Sequence, residues 1–114
     1  PDSVYCTIKF DQIPDDLKSC VGDKSRFDQY CRIINGEILS YIKSPEGYSQ
    51  LWKVVLGVSK DLGYISQGCN VRRFGELLHI ICPDAGEAHK LDQNMQKKIV
   101  NQNEKDAIRS RFGL

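Results

Sequence analysis

The chain has 114 residues, 40% of them apolar and 27% charged, with 16 basic and 15 acidic side chains and a net charge of +1. Those values suit one globular domain that can bury its own core without disulfides or metals. They exclude a chain that is basic overall, as a dedicated nucleic-acid binder or polybasic membrane anchor would be, and leave only local patches to consider.

In chain order, Val4 to Phe10 (VYCTIKF) alternates apolar Val4, Cys6, Ile8 and Phe10 with Tyr5, Thr7 and Lys9, which predicts a half-buried strand. Residues 11–24 carry Pro14, Asp15-Asp16 and Gly22-Asp23 and read as a loop with at most one helical turn near Asp15 to Cys20. Ser25 is a candidate N-cap, with Asp28 three residues on. Phe27, Tyr30, Cys31, Ile34, Ile38, Tyr41 and Ile42 then recur at spacings of three and four, predicting a long amphipathic helix over about 25–43. Gly36 inside it costs about 1 kcal/mol relative to alanine and marks a close neighbour or a bend. Ser44-Pro45 ends the helix, because proline pushes the preceding residue out of the α region.

WKVVLGV (52–58) fits either a helical stripe or a buried strand. Trp52, Val54, Val55 and Val58 favour strands, and Gly57 and Gly63 weaken a helix, so the strand is chosen. Gln67-Gly68 marks a turn. The run ELLHIIC, closed by Pro83-Asp84, is also read as a strand, with a short helix as its rival. Residues 85–111 are strongly polar. A thin stripe of Leu91, Met95 (or Ile99) and Ile108 suggests a polar C-terminal helix docked by one edge, or a mobile segment. The fold class expected is therefore α/β of the α+β type, a small sheet with the 25–43 helix packed on it, within a single domain spanning 1–114.

No apolar run approaches the roughly 18 residues of a membrane span, and no secretory signal pattern is present. The chain starts at Pro1 rather than at a methionine, which reads as a processed or trimmed start. Five cysteines (Cys6, Cys20, Cys31, Cys69, Cys82) at irregular spacing make a poor disulfide framework, and no Asn-x-Ser/Thr sequon occurs. A reducing, intracellular setting with most thiols as small buried hydrophobes is expected.

The chemistry-bearing residues form no strong motif. His79 and Cys82, flanked by Cys69 and His89, lack the paired close ligands of a zinc site. A thiol nucleophile at Cys82 would need a nearby histidine and an electropositive surround. Asp15-Asp16 suits a helix N-terminus better than an acid-base pair. No glycine-rich phosphate loop is present. No cofactor, metal ligand or catalytic residue is assigned, and the protein is expected to be non-enzymatic. Two surfaces remain. Pro45, Gly47, Tyr48 and Trp52 could form a loop contact for self-association. Arg72, Arg73, Lys97, Lys98, Arg109 and Arg111 could form a surface for an anionic partner, although Glu76, Glu87, Asp92, Glu104 and Asp106 are interleaved with them.

A succession of segments resembles the core of rhabdovirus matrix proteins, mainly over residues 4–82. It consists of VYCTIKF, then RFDQYCRIINGEILSYI, the Tyr-containing SPEGYSQ turn, LWKVVLGVSKDLG with its KVVLG piece, and the basic pair in NVRRFGELLHIIC. The resemblance implies a small α/β domain and a structural virion protein of an enveloped negative-strand RNA virus. Such a protein would self-associate, contact the nucleoprotein and an anionic membrane surface under the envelope, and act in assembly and budding in the host cytoplasm. That family's Pro-rich budding motif and basic N-terminal tail are missing from this chain. The alternative function is an intracellular nucleic-acid, ribonucleoprotein-binding or adaptor module that uses the basic clusters.

Overall fold

The computed structural model describes residues 9–112, whose regular elements are all helices and helical turns. A 3₁₀ turn at Phe10–Gln12 precedes the short helix α1 (Asp15–Lys18), whose first turn carries Asp15 and Asp16. A second 3₁₀ turn, Lys24–Arg26, opens a long helix made of α2 (Phe27–Ile33), a π-helical turn (Ile34–Ile38) and α3 (Leu39–Ile42). A turn at Ser49–Leu51 leads into α4 (Trp52–Asp61), followed by α5 (Val71–Ile81), α6 (Ala88–Gln96) and α7 (Gln102–Phe112).

The expected sheet is therefore corrected to an all-helical fold: no strand occurs among the described residues. A lone antiparallel bridge joins Val21 to Ile65. Residues 4–8 of the first expected strand lie outside the described residues, and Phe10 stands in a 3₁₀ turn. The segment 52–58 is α4 and the ELLHIIC run lies in α5 up to Ile81. α4 defeats a β reading because α5, α6, α7 and the Ser49–Leu51 turn all pack against it. Trp52, Val54, Val55, Leu56, Val58 and Ser59 are all buried, so most of its circumference is core. The helix-propensity deficit of valine is a few tenths of a kcal/mol per residue, which burial of the same side chains at about 1.5–3 kcal/mol each outweighs.

α5 buries Phe74, Leu77, Leu78 and Ile81, a three-four spacing. The Asn70 side chain caps it by accepting from the Arg73 N–H at 2.8 Å. Gly75 lets α6 come close, since a Cβ there would stand 3.1 Å from the Ala88 carbonyl oxygen.

The long helix lies where its stripe predicts, with Phe27, Tyr30, Cys31, Ile34, Ile38 and Ile42 buried. Its cap differs from the expectation. Asp23, not Ser25, supplies the capping carboxylate, accepting from the Ser25 N–H at 3.0 Å and the Ser25 hydroxyl at 2.5 Å. Those bonds, with Arg26 beside it, hold the Asp23 carboxyl below the usual range. The π turn contains Gly36 and sits where Asn35 Nδ2 donates both to the Cys31 carbonyl at 2.9 Å and to the Ile81 carbonyl at 2.7 Å. A π bulge is one of the few ways a helix can reposition a side chain toward a neighbouring helix end.

Two contacts tie the helices together across the core. The Ser59 hydroxyl donates to the Val55 carbonyl at 2.7 Å and so is left to accept from the Tyr30 hydroxyl at 2.8 Å. The Tyr30 ring stacks on Tyr64 at 5.0 Å between centroids, and the Arg26 guanidinium lies 4.3 Å over the Tyr64 ring while donating to the Leu62 carbonyl at 2.7 Å. Burial pushes the Tyr30 phenol well above the ordinary tyrosine value of 10.0. A pKa raised on folding gives stability that is complete below the unfolded value and is lost as pH rises past it. Unfolding free energy, measured by urea titration at pH 9, 10 and 11, is expected to fall above pH 10. Tyr30→Phe should remove a slope of about 1.4 kcal/mol per pH unit from that fall. An identical alkaline slope in the variant would contradict the assignment.

Candidate functional site

The loop after the long helix is built by short local bonds. Ser44 Oγ donates to the Tyr41 carbonyl at 2.6 Å, and the Gly47 N–H donates to the Ser44 carbonyl at 3.0 Å. Gly47 is pressed onto the helix end it has just left. A Cβ there would collide with the Tyr41 carbonyl oxygen and stand 2.6 Å from Ile42 Cα. Tyr48 is extended (φ −163°, ψ 158°) and projects outward at 46% exposure, after which the chain turns and sends Leu51 and Trp52 inward.

α6 and α7 complete the edge. The Lys98 ammonium donates to the Tyr48 hydroxyl at 3.1 Å, lies 5.6 Å over its ring and pairs with Glu104 at 2.5 Å. The Glu104 bond first, then the Tyr48 bond, raises the Lys98 pKa. Ile99, the next residue, is 88% exposed. Among the described residues Tyr48 and Ile99 are the exposed large hydrophobics, and Tyr48 meets Lys98, the residue before Ile99. Below them Arg111 pairs with Glu46 at 3.7 Å and stacks 4.2 Å over the Tyr41 ring, which meets Phe112 edge-on at 5.7 Å. An open hollow of about 590 Å³ lies beside this stack, lined by Glu37, Ser40, Tyr41, Ser44, Arg111 and Phe112.

The residues expected to form the loop contact are thus divided. Pro45 and Tyr48 are exposed, and Gly47 shapes the loop. Trp52 is 1% exposed and belongs to the core, because the turn at Ser49–Leu51 carries it inward. The six expected cations differ in what engages them. Arg73 is drawn to α1, donating to the Asp16 carbonyl at 2.7 Å with the Asp16 carboxylate at 4.0 Å. Its neighbour Arg72 is exposed beside a small hollow that also holds Asp16 and Glu76. Lys98 and Arg111 are paired with Glu104 and Glu46, while Lys97 is exposed and Arg109 half-buried. Sequence reasoning treated Ile99 only as a rival core residue, and an isolated isoleucine in a polar run offers no stronger signal.

Cys82 is fully buried, so a substrate could not reach it without opening the core. His79 is exposed, with Nδ1 2.9 Å from the Gly86 carbonyl oxygen. Burial first, and then its bond to Cys20, pushes the Cys69 thiol up, away from the thiolate needed for nucleophilic chemistry. Among the described residues no group of three His, Cys, Asp or Glu is placed to hold a metal ion, and no helix is long and apolar enough to cross a membrane. Comparison with protein-family models, curated proteins and solved structures finds no match to this chain.

Proposed function

We propose that this is a non-enzymatic contact protein that self-associates through the Tyr48–Ile99 edge. The observation that carries the reading is that the exposed large hydrophobics among the described residues are Tyr48 and Ile99, with Tyr48 bonded to Lys98, the chain neighbour of Ile99. Solvent-exposed isoleucine and tyrosine side chains gain free energy when a partner surface covers them. A second copy of the chain suits this edge because it carries both signs of charge: Lys97 and Arg111 beside Glu46 and Glu104. A two-fold arrangement would bring like patches together, with each cation able to face a carboxylate of the other copy. Of the role expected from the rhabdovirus matrix resemblance, this reading keeps the self-association. The envelope and nucleocapsid parts rest on that resemblance alone, and the α/β fold it implied has been corrected.

Sedimentation velocity over a wide concentration range tests the proposal. The average mass is expected to rise with concentration. Ile99→Asp and Tyr48→Ala should each shift the onset at least tenfold higher while changing unfolding free energy by less than about 0.5 kcal/mol. A monomer at every concentration would overturn the reading.

A further inference from the structure

A second feature is a cleft beside α4, next to the Lys98–Ile99 segment. The solvent-facing side of α4 carries Lys53, Gly57 and Lys60, spaced by four and three, and ends on the exposed Asp61. It forms one wall of a cleft of about 540 Å³ closed by the starts of α5 and α7. The floor is apolar, made by Leu56, Val71 and Val100. Lys105 of α7 is the third lysine on the rim, and among the described residues no carboxylate lines the space.

The three ammonium groups differ in what occupies them. Lys53 Nζ donates to the Lys98 carbonyl at 2.8 Å, which holds the group in place while leaving its charge uncancelled. Lys105 pairs with Asp61 at 2.6 Å, and its methylene stem lies 3.5 Å from where a Gly57 Cβ would stand. Lys60 has no carboxylate partner among the described residues. Three cations against one nearby carboxylate leave an excess of about two positive charges around a concave, apolar-floored space. Asn70 and Asn101, whose side chains accept from the Arg73 and Glu104 N–H groups, bring the starts of two eleven-residue helices to the same rim, adding positive potential. With no side chain at Gly57, the Lys105 stem lies against α4 at this wall.

We propose that this α4–α5–α7 cleft binds a small amphipathic organic anion, with its carboxylate or phosphate head at Lys60 and Lys53 and its apolar body on Leu56, Val71 and Val100. A volume in the few-hundred Å³ range, an apolar lining and a few placed polar groups are what small-molecule sites share. A bare inorganic anion would leave the floor unused, and a neutral apolar molecule would leave the lysines unused. The site borders the Lys98–Ile99 segment, since Val100 and Asn101 line it, but its anion chemistry does not require self-association.

The test is calorimetric titration of the full chain with decanoate and with decyl phosphate, each below its micellar concentration. Decanol serves as the uncharged control. Saturable one-to-one binding is expected, at least tenfold tighter for the anions than for decanol and weakening as salt is raised. Lys60→Ala should weaken the anions at least tenfold and leave decanol unchanged, since Lys60 holds no structural partner. Gly57→Leu, which fills the wall without changing charge, should weaken all three; thermal unfolding of both variants checks that the fold persists. Equal affinity for decanol and decanoate, no saturable binding, or binding indifferent to both variants would overturn the proposal. So would Lys60-dependent flotation with anionic phospholipid vesicles in the absence of monomeric decanoate binding, which would assign these charges to a membrane surface.

Discussion

Trp52→Ala is expected to destabilise the protein by about 3–5 kcal/mol, the range for removing a large aromatic ring from a packed core. The indole is 1% exposed at the first turn of α4, the helix on which α5, α6 and α7 converge. Its loss would leave a cavity that rigid helices on several sides cannot collapse, so the cavity cost adds to the lost transfer free energy. Against a total stability of about 5–15 kcal/mol, that single change removes a large fraction of the margin. Urea unfolding followed by far-ultraviolet circular dichroism measures it directly, and Trp52→Phe should recover more than half of the loss. Tyr48→Ala, four residues earlier and half in solvent, should move the midpoint hardly at all. A Trp52→Ala midpoint close to wild type would mean that the ring is peripheral and that the loop contact has to be reconsidered.

The contrast between Tyr48 and Trp52 shows where the sequence is informative and where it is not. The 27–42 helix is legible because one face is apolar and the other polar, so the 3.6-residue period stands out. α4 is buried nearly all round: Leu51, Val54, Val55, Val58 and Leu62 keep a helical spacing, but Trp52 and Leu56 are apolar too, so the run also reads as a buried strand. The less buried remainder, Lys53, Gly57 and Lys60, keeps a helical spacing as well. α5 offered more than was taken from it, since Phe74, Leu77, Leu78 and Ile81 repeat at three and four behind an Asn70 cap. For the site, adjacency in sequence misled. Arg72-Arg73, Lys97-Lys98 and the Arg109/Arg111 pair look like one basic surface. Yet Arg73, Lys98 and Arg111 meet Asp16, Glu104 and Glu46, acids contributed by other segments of the chain. Which acid cancels which base is a property of the packing. The same applies to the lysine cleft, whose three cations come from two helices more than forty residues apart.

Gly47→Ala is the second large effect, expected to cost about 1–3 kcal/mol, the range for forcing an extra carbon into a filled space. The reason is contact and not backbone strain. The added methyl would overlap the Tyr41 carbonyl oxygen and stand 2.6 Å from Ile42 Cα and 2.8 Å from the Ile42 carbonyl oxygen, all main-chain atoms at the end of α3. Backbone cannot swing aside as a flexible side chain can, so the loop has to lift away. That movement stretches the Gly47-to-Ser44 hydrogen bond and carries Tyr48 with it, away from Lys98. Gly68→Ala is the matched control, since a Cβ there meets nothing within 4 Å. It should be neutral, or stabilising by up to about 1 kcal/mol through the unfolded chain. Because Tyr48 sits directly beyond Gly47, the variant also links fold to contact. Where the chain self-associates through the Tyr48–Ile99 edge, Gly47→Ala should weaken assembly under conditions in which circular dichroism still shows it folded, whereas Gly68→Ala should leave assembly unchanged. Assembly undiminished in folded Gly47→Ala would separate the loop from the contact surface and move the search for that surface to the Ile99 side alone.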